Sequence, residues 1–317
     1  MTTLPRSLWA LLALLTLAWG LNWPMMKMTL AEMPVWTFRA LCCIGGSLGL
    51  FAIALASRLP ILMSREQVPR VLVTSLFNIA LWNVLIGYGL TMLPSGRSAI
   101  LAYTMPLWTV LLSAYILDEP LTARRIVGLV LGMAGLALLL GAELAALHAA
   151  PIGALLVLGA ALSWAIGTVL IKRYPTDLPT TSFVAWQLAL GGLPVVIGAL
   201  VMDWGDWRPL SLKPTIGLLY NIFVAFIFCH WAWFKIAISA PAGVASLSTL
   251  FIPVVGVFSG MLLLGEQPDW HEYAAMLLII LALATVLVPP RSRHAGEIRS
   301  VDADGGEEKQ AKKKRKT

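Results

Sequence analysis

Ten runs of about 20 mostly apolar residues, joined by short connections, occupy the chain from residue 7 to residue 289. They lie near 7–27, 34–56, 70–90, 95–116, 124–142, 151–171, 181–201, 214–236, 241–263 and 271–289. A helix of that length crosses the hydrocarbon core of a bilayer, and the short connections leave no room for a soluble catalytic domain. The expected fold class is therefore an all-α integral membrane protein with ten transmembrane helices. Composition agrees. Hydrophobic residues make up 59% of the 317 and charged residues 12%, with a mean hydropathy of +0.82, whereas a soluble domain carries about 25% charged residues. The first run resembles a signal peptide because Arg6 precedes it. However, it is long, lacks a clear small-residue cleavage site and continues into Trp19-Gly20-Leu21-Asn22-Trp23, so it reads as a retained first helix.

The placement of positive charge orients the chain. With the N-terminus in the cytoplasm, 18 of the 23 Lys/Arg fall on the cytoplasmic side, and only Lys27, Arg39, Arg97, Arg208 and Lys213 do not. Both termini are expected inside, as an even number of spans requires. Residues 291–317 hold nine Lys/Arg and five Asp/Glu, contain Gly305-Gly306 and have no large apolar residue beyond Ile298 and Val301. They read as a charged, disordered cytoplasmic tail. Its run Lys312-Lys313-Lys314-Arg315-Lys316 would suit nucleic acid in another setting. Beside this much membrane it reads as a solvated end near anionic lipid, and no nucleic-acid partner is expected.

Several chemistries are excluded. No Gly-Lys dipeptide occurs, so the phosphate-cradling loop with its lysine is missing. His148, His230, His271 and His294 are scattered without metal-ligand spacing. Cys42, Cys43 and Cys229 all sit in apolar runs and read as small buried hydrophobes. No catalytic residue, cofactor or metal is expected.

The chain also contains itself twice. Pro94-Ser95-Gly96 returns as Pro241-Ala242-Gly243, Pro106 as Pro253 and Glu119 as Glu266, all at an offset of 147. Trp19 matches Trp164 and Lys27 matches Lys172 at an offset of 145, so a two-residue insertion joins the registers. Residues 1–146 are expected to form a first five-helix repeat and 147–290 a second. Five is odd, so the second copy enters the membrane from the opposite side and the repeats are inverted. Inverted repeats with a binding site between them are a hallmark of secondary transporters. The plainer alternative is an old duplication kept only for folding.

These residues resemble a known family. Trp19-Gly20-Leu21-Asn22, Arg39, Pro106 and Leu117-Asp118-Glu119-Pro120-Leu121 are similar to the first half of an EamA-type permease of the drug/metabolite transporter superfamily. Ser163-Trp164-Ala165, Pro253 and Leu264-Gly265-Glu266 are similar to its second half. The resemblance covers about residues 5–290; Asp118 departs from it, standing where Gly is usual and where the second half keeps Gly265. It implies ten helices, cytoplasmic termini and transport of small metabolites, often outward.

Polar side chains inside spans are costly and tend to face a cavity. At the offset of 147, Asn83 of the third run pairs with His230 of the eighth, and Trp82 with Cys229. Asn83 and His230 are therefore expected to line a shared substrate cavity from opposite sides, with Trp82 and Trp164 as flat walls. Asn78, Asn221, Tyr103 and Asn22 complete the candidate set. The alternative is that each polar group hydrogen-bonds to helix backbone and only packs. No carboxylate lies deep in a span, so an Asp/Glu proton relay is not expected. His230 is the deep side chain with a reference pKa near neutrality and is the candidate for proton coupling, with substrate exchange as the other mode. Glu119 and Glu266, at span ends, read as partners of helix N-termini, and Arg39 as close enough to an interface to snorkel. Pro106 and Pro253 are expected to kink their helices. Gly128, Gly132 and Gly135 give the fifth helix a close-packing face toward another helix of the chain.

The reading is a secondary transporter, an exporter of small metabolites such as amino acids or related compounds, working by alternating access. It is expected to be multi-pass in the bacterial inner membrane, with the bilayer and a small-molecule substrate as partners, as a monomer or homodimer. An integral membrane enzyme acting on lipid-linked substrates is the alternative: Ser163 and Ser259 lie in spans, but the deep histidine is on the eighth run and no Asp/Glu lies in the apolar core to orient it. A channel is the third reading. A reporter enzyme fused to the C-terminus should be active only in its cytoplasmic form; a signal from the opposite side would overturn the charge-based orientation.

Overall fold

The computed structural model describes residues 6–118, 121–145, 150–206, 208–233 and 242–287. The tail at 291–317, Glu119, Pro241 and Trp207 lie outside the described residues. Among the described residues the chain is helical, in ten successive helical stretches. These are α1 (Arg6–Leu30), α2 (Val35–Ala56), α3 (Val68–Met92), α4 (Ser95–Ile116) and α5 (Ala123–Ala145), then α6 (Ala150–Arg173), α7 (Thr180–Met202), α8 (Leu212–Trp233), α9 (Ala242–Leu264) and α10 (Trp270–Leu287). They follow the ten apolar runs of the sequence. Six stretches are 22 to 25 residues long with mean hydropathy of 1.6 to 2.2, enough to cross about 30 Å of hydrocarbon. The protein is an all-α, multi-pass membrane protein.

The helix starts have local causes. Val35, Ser95 and Thr180 each follow a proline, with φ of −59°, −56° and −53° at Pro34, Pro94 and Pro179. Proline presets this angle and has no N–H to leave unpaired. At α10, Asp269 Oδ1 accepts from the backbone N–H groups of His271 and Glu272 at 2.9 and 3.1 Å, while Glu272 Oε2 accepts from Asp269 N at 2.8 Å. This reciprocal pair is a capping box.

The repeats interlock rather than sitting side by side. α2 packs against α7, α5 against α10, α1 against α8 and α9, and α6 against α3 and α4. The α1 contacts are those of α6 with repeat 1 and repeat 2 exchanged, which is the pattern an inverted pair produces. Each repeat supplies what the other lacks. Ser47 Oγ donates to Ala185 O at 3.1 Å, Gln187 Nε2 to Thr74 Oγ1 at 3.2 Å and Trp186 Nε1 to Ile61 O at 2.8 Å.

At the end of the bundle away from Arg6, here the far end, three carboxylates hold helix starts across the repeat boundary. Glu266, in the α9–α10 turn, accepts from Ser95 N at 2.6 Å, Ser95 Oγ at 2.8 Å and Gly96 N at 3.1 Å. Asp203, after α7, accepts from Thr37 N and Oγ1 at 2.7 and 2.8 Å. Glu32, after α1, accepts from Ser211 N and Oγ at 2.8 and 2.6 Å. A carboxylate at a helix N-terminus satisfies N–H groups that have no intrahelical partner and meets the positive end of the helix dipole. The structural role expected of Glu266 is thus observed. At exposed Glu32, the Ser211 hydroxyl and then its backbone N–H hold the carboxyl below the ordinary glutamate range. A depressed carboxylate stabilises when ionised, so this tie is complete above pH ~4.3 and is lost as pH falls through the lowered value.

Two expectations change. Arg39 does not snorkel: it is 1% exposed, held inside by α1 and α3. Pro106 does not kink a continuous helix. α4 breaks at Tyr103–Thr104 and resumes as Met105–Ile116, because proline removes the bond to the preceding turn and its ring crowds that carbonyl. Pro253 sits within an unbroken α9. For α5 the same-chain packing holds: a Cβ on Gly132 would lie 2.1 Å from Leu107 Cδ1 of α4, and one on Gly135 3.2 Å from Ala275 O of α10.

One of the two closest backbone approaches among the described glycines is at Gly217 of α8, where a Cβ would lie 2.6 Å from Met25 O and 2.4 Å from Thr29 Oγ1 of α1. The carbonyl belongs to a helix and cannot swing aside. Gly217→Ala should destabilise the detergent-solubilised protein by about 1–3 kcal/mol, the usual cost of overpacking, read as a lower melting temperature. Gly159→Ala is the matched control, since its nearest atom is Leu85 Cδ1 at 3.5 Å, and it should melt at or above the wild type.

Candidate functional site

Both α3 and α8 depart from regular α geometry in the same place. α3 widens to a π-helix over Leu76–Leu81, and α8 over Tyr220–Cys229. The offset of 147 carries the first segment onto residues 223–228, inside the second. π turns are rare, free a carbonyl from the regular ladder and are frequent at functional sites. In both repeats the turn runs up to the predicted pair: Asn83 follows one and His230 follows the other.

Their side chains use the backbone differently. Asn83, 2% exposed, donates from Nδ2 to Ile79 O of its own helix at 2.8 Å. His230 Nδ1 lies 2.9 Å from Ala225 O, five residues back; a carbonyl only accepts, so that nitrogen carries the proton. Among the described residues no hydrogen bond joins Asn83 to His230.

The two indoles named as walls come into contact. Trp82 of α3 meets Trp164 of α6 at a centroid distance of 5.1 Å and 59°. Trp19, the repeat partner of Trp164, meets His230 edge-on at 6.1 Å and 85°, and Trp233 at 5.8 Å. Phe226 closes the other side of the imidazole at 5.5 Å. The same α-helical crossing, α6 over α3 and α1 over α8, is thus lined by indoles in one repeat and by indole plus imidazole in the other.

The remaining candidates carry unsatisfied oxygens. Asn221 Nδ2 donates to Gly217 O at 2.9 Å, yet Asn221 Oδ1, Asn78 Oδ1 and Asn22 Oδ1 are buried with no partner. Asn78 Oδ1 lies where Gly167 of α6 has no side chain, 1.3 Å from the position of an added Cβ. Buried polar atoms are normally paired, so three lone acceptors on α1, α3 and α8 mark polar capacity held in reserve. Tyr103 is 6% exposed and closes the first segment of α4. Two groups that sequence reasoning left out of the site belong with them: Ser98 Oγ of α4 and Arg39 Nε of α2 are also buried and unpaired. Burial without a partner is a tertiary property; the sequence signals for Arg39 were its place one turn into α2 and its part in the family resemblance.

The two hydroxyls considered for an enzyme bond backbone carbonyls: Ser163 Oγ to Phe77 O at 2.7 Å and Ser259 Oγ to Gly256 O at 3.0 Å. Neither meets a base. A recess opens at the far end between α4 and the α9–α10 turn, lined by Pro94, Arg97, Val257, Glu266, Gln267 and Asp269. There Arg97 Nε pairs with Glu272 Oε1 at 2.8 Å, and Lys27 Nζ lies 3.8 Å from Glu266 Oε1 while donating to Leu93 O.

The comparisons with known proteins agree with this architecture. The model of the EamA-like transporter family matches twice, over residues 7–141 and 151–288. An uncharacterized transporter of Bacillus subtilis (strain 168), YvbV, is 31% identical over 306 residues, covering 94% of this chain and 97% of that protein. A probable amino-acid metabolite efflux pump of Salmonella typhimurium is 27% identical over 293 residues, covering 85% and 91%. A solved structure shares the fold, with a TM-score of 0.64 at 19% identity over 88% of this chain and 96% of that one. Two family matches, one on each five-helix repeat, make this chain a member of the EamA-like transporter family.

Proposed function

We propose that this membrane transporter is a secondary exporter of small metabolites, amino acids or related compounds, working by alternating access in the bacterial cell membrane with both termini in the cytoplasm. The substrate class and outward direction are supported by the efflux pumps among its relatives, from Salmonella typhimurium and Escherichia coli. The far end then faces the cell exterior.

The observation that carries alternating access is an asymmetry between two equivalent ties. At the far end Glu32 holds Ser211 by two hydrogen bonds. At the offset of 145 the partner of Glu32 is Asp177, and at 147 the partner of Ser211 is Ser64. Those two residues belong to the near end. Asp177 is exposed with no hydrogen bond among the described residues, and Ser64 N turns instead to Gln67 Oε1 at 3.3 Å. Among the described residues this particular tie is made at the far end and not at its near-end counterpart, where the repeats are joined instead through Ser182 Oγ to Pro60 O at 2.9 Å and Trp186 Nε1 to Ile61 O at 2.8 Å. Exchanging the two arrangements opens the far end and closes the near end, which is alternating access in an inverted repeat.

In this reading the solute passes between the α1–α8 and α3–α6 crossings. Asn83 offers an amide, His230 an imidazole, and Trp82 and Trp164 a flat apolar wall. His230 also carries proton coupling if flux is coupled to protons.

Two experiments test the proposal. Efflux of a panel of labelled metabolites from proteoliposomes should saturate with concentration; linear flux would favour a channel. In the same vesicles His230→Gln and Asn83→Ala should reduce flux while the protein still inserts, and His230→Gln should flatten any dependence on pH near neutrality. Unchanged flux and pH profile in both would return the pair to helix packing. Separately, Glu266→Gln should loosen the far end. A cysteine replacing Leu93, 1% exposed, in a background without the native cysteines should then react about tenfold faster with an impermeant maleimide, the weight of one charge-assisted hydrogen bond. An unchanged rate would deny Glu266 a part in closure.

A further inference from the structure

Arg39 is the one base among the buried described residues, 1% exposed and one turn inside α2. A buried guanidinium normally faces a carboxylate, because an unpaired charge is costly in a low-dielectric interior. Arg39 has none within ion-pair distance among the described residues. Its Nη2 reaches only the thioether of Met26, at 3.1 Å, its guanidinium carbon lies 4.7 Å over the ring of Phe38, and its Nε has no partner. A thioether is a weak acceptor. The carboxylates that tie the same end are already engaged: Glu266 by Ser95 and Gly96, Glu272 by Arg97, Asp203 by Thr37 and Glu32 by Ser211.

Nε, without a partner, and Nη2, with only the Met26 thioether, share one edge. Nε and Nη2 present two parallel N–H groups, the fork that a carboxylate bridges with two hydrogen bonds. Gly87 of α3 keeps a side chain off this edge, since a Cβ there would lie 3.6 Å from Nε. The edge is also linked through α1 to the far-end closure. Met26 immediately precedes Lys27, whose amine joins Leu93 O and Glu266 in the far-end closure.

We infer that Arg39 is the anion-recognition residue of this transporter and that its substrates carry a carboxylate, which bridges Nε and Nη2 as the far end opens. The assignment rests on the transporter reading and narrows it from small metabolites to carboxylates. The carboxylate can belong to an amino acid or to a simple organic acid, and the fork treats both alike. Lysine in its place would keep the charge and lose the planar pair of donors.

The test uses the full-length purified protein, with the proteinogenic L-amino acids, their amides, and acetate, lactate and succinate as probes. Melting temperature reads binding, and efflux from proteoliposomes reads transport. At least one carboxylate should stabilise the wild type while its amide does not. Arg39→Met should melt at or above the wild type without ligand, because it removes an unpaired buried charge. The same variant should weaken half-saturation by that carboxylate about tenfold or more, the loss of a charge-assisted hydrogen bond. Arg39→Lys should fall between them. Stabilisation by acetate, lactate or succinate alone would assign organic acids, and by amino acids alone would assign those.

The inference is overturned if no probe carboxylate stabilises the wild type, if acid and amide act equally, or if Arg39→Met keeps the response. It also falls if Arg39→Met melts well below the wild type, which would make Arg39 a packing residue. Saturable wild-type flux of solutes lacking a carboxylate would remove this assignment and leave the transporter standing. Absence of saturable flux for every solute would remove both.

Discussion

A helix that ends near the membrane leaves backbone N–H groups without partners, and in a poorly hydrated setting each must be given one. Here carboxylates of one repeat supply them to helices of the other: Asp203 to α2, Glu266 to α4 and Glu32 to α8. The rest of the architecture depends on this exchange. Between helices in lipid the hydrophobic effect gives little drive to associate, so polar ties and close packing decide which faces meet. The caps sit at loop ends, where water can compete for them if a loop moves.

Close packing does the complementary work in the interior. Glycine at 217 brings α8 onto the backbone of α1, and glycine at 191 brings α7 within reach of Ser75 O of α3, where an added Cβ would lie 2.6 Å from the carbonyl. These contacts cross the repeat boundary, as do the caps. The protein is therefore one interlocked bundle, and a movement of α1 must move α8 and α9 with it. Against that rigid packing the π turns in α3 and α8 are the irregular elements, and both lie where the candidate polar residues begin.

The two repeats have kept their geometry and changed their chemistry. Trp19 and Trp164 hold equivalent places, but one faces His230 and Trp233 while the other faces Trp82. Arg39 has Val184 or Trp186 at its repeat positions, so among the described residues the buried positive charge occurs in one repeat only. A transporter needs symmetric machinery to alternate, but an asymmetric solute needs an asymmetric site. Divergence confined to side chains at conserved crossings allows both.

The sequence by itself determined the class, the number of spans and the duplication, because a 20-residue apolar run and an offset of 147 are properties of a single strand of text. It also identified Trp82 with Trp164, which do meet, and Glu266 as a partner of a helix start. It did not reveal which helix start, because Ser95 lies 171 positions away and nothing local to Glu266 names it. Hydropathy placed Arg39 near an interface, and only the packing of Met26, Phe38 and Gly87 around it showed a sealed charge without a counter-ion. Asn83 and His230 look equivalent in register. The fold gave each a carbonyl of its own helix, four residues back for Asn83 and five residues back for His230. Periodicity and composition report what each segment buries, while partners are chosen in three dimensions, where the cost of an unpaired polar group depends on which neighbours happen to arrive.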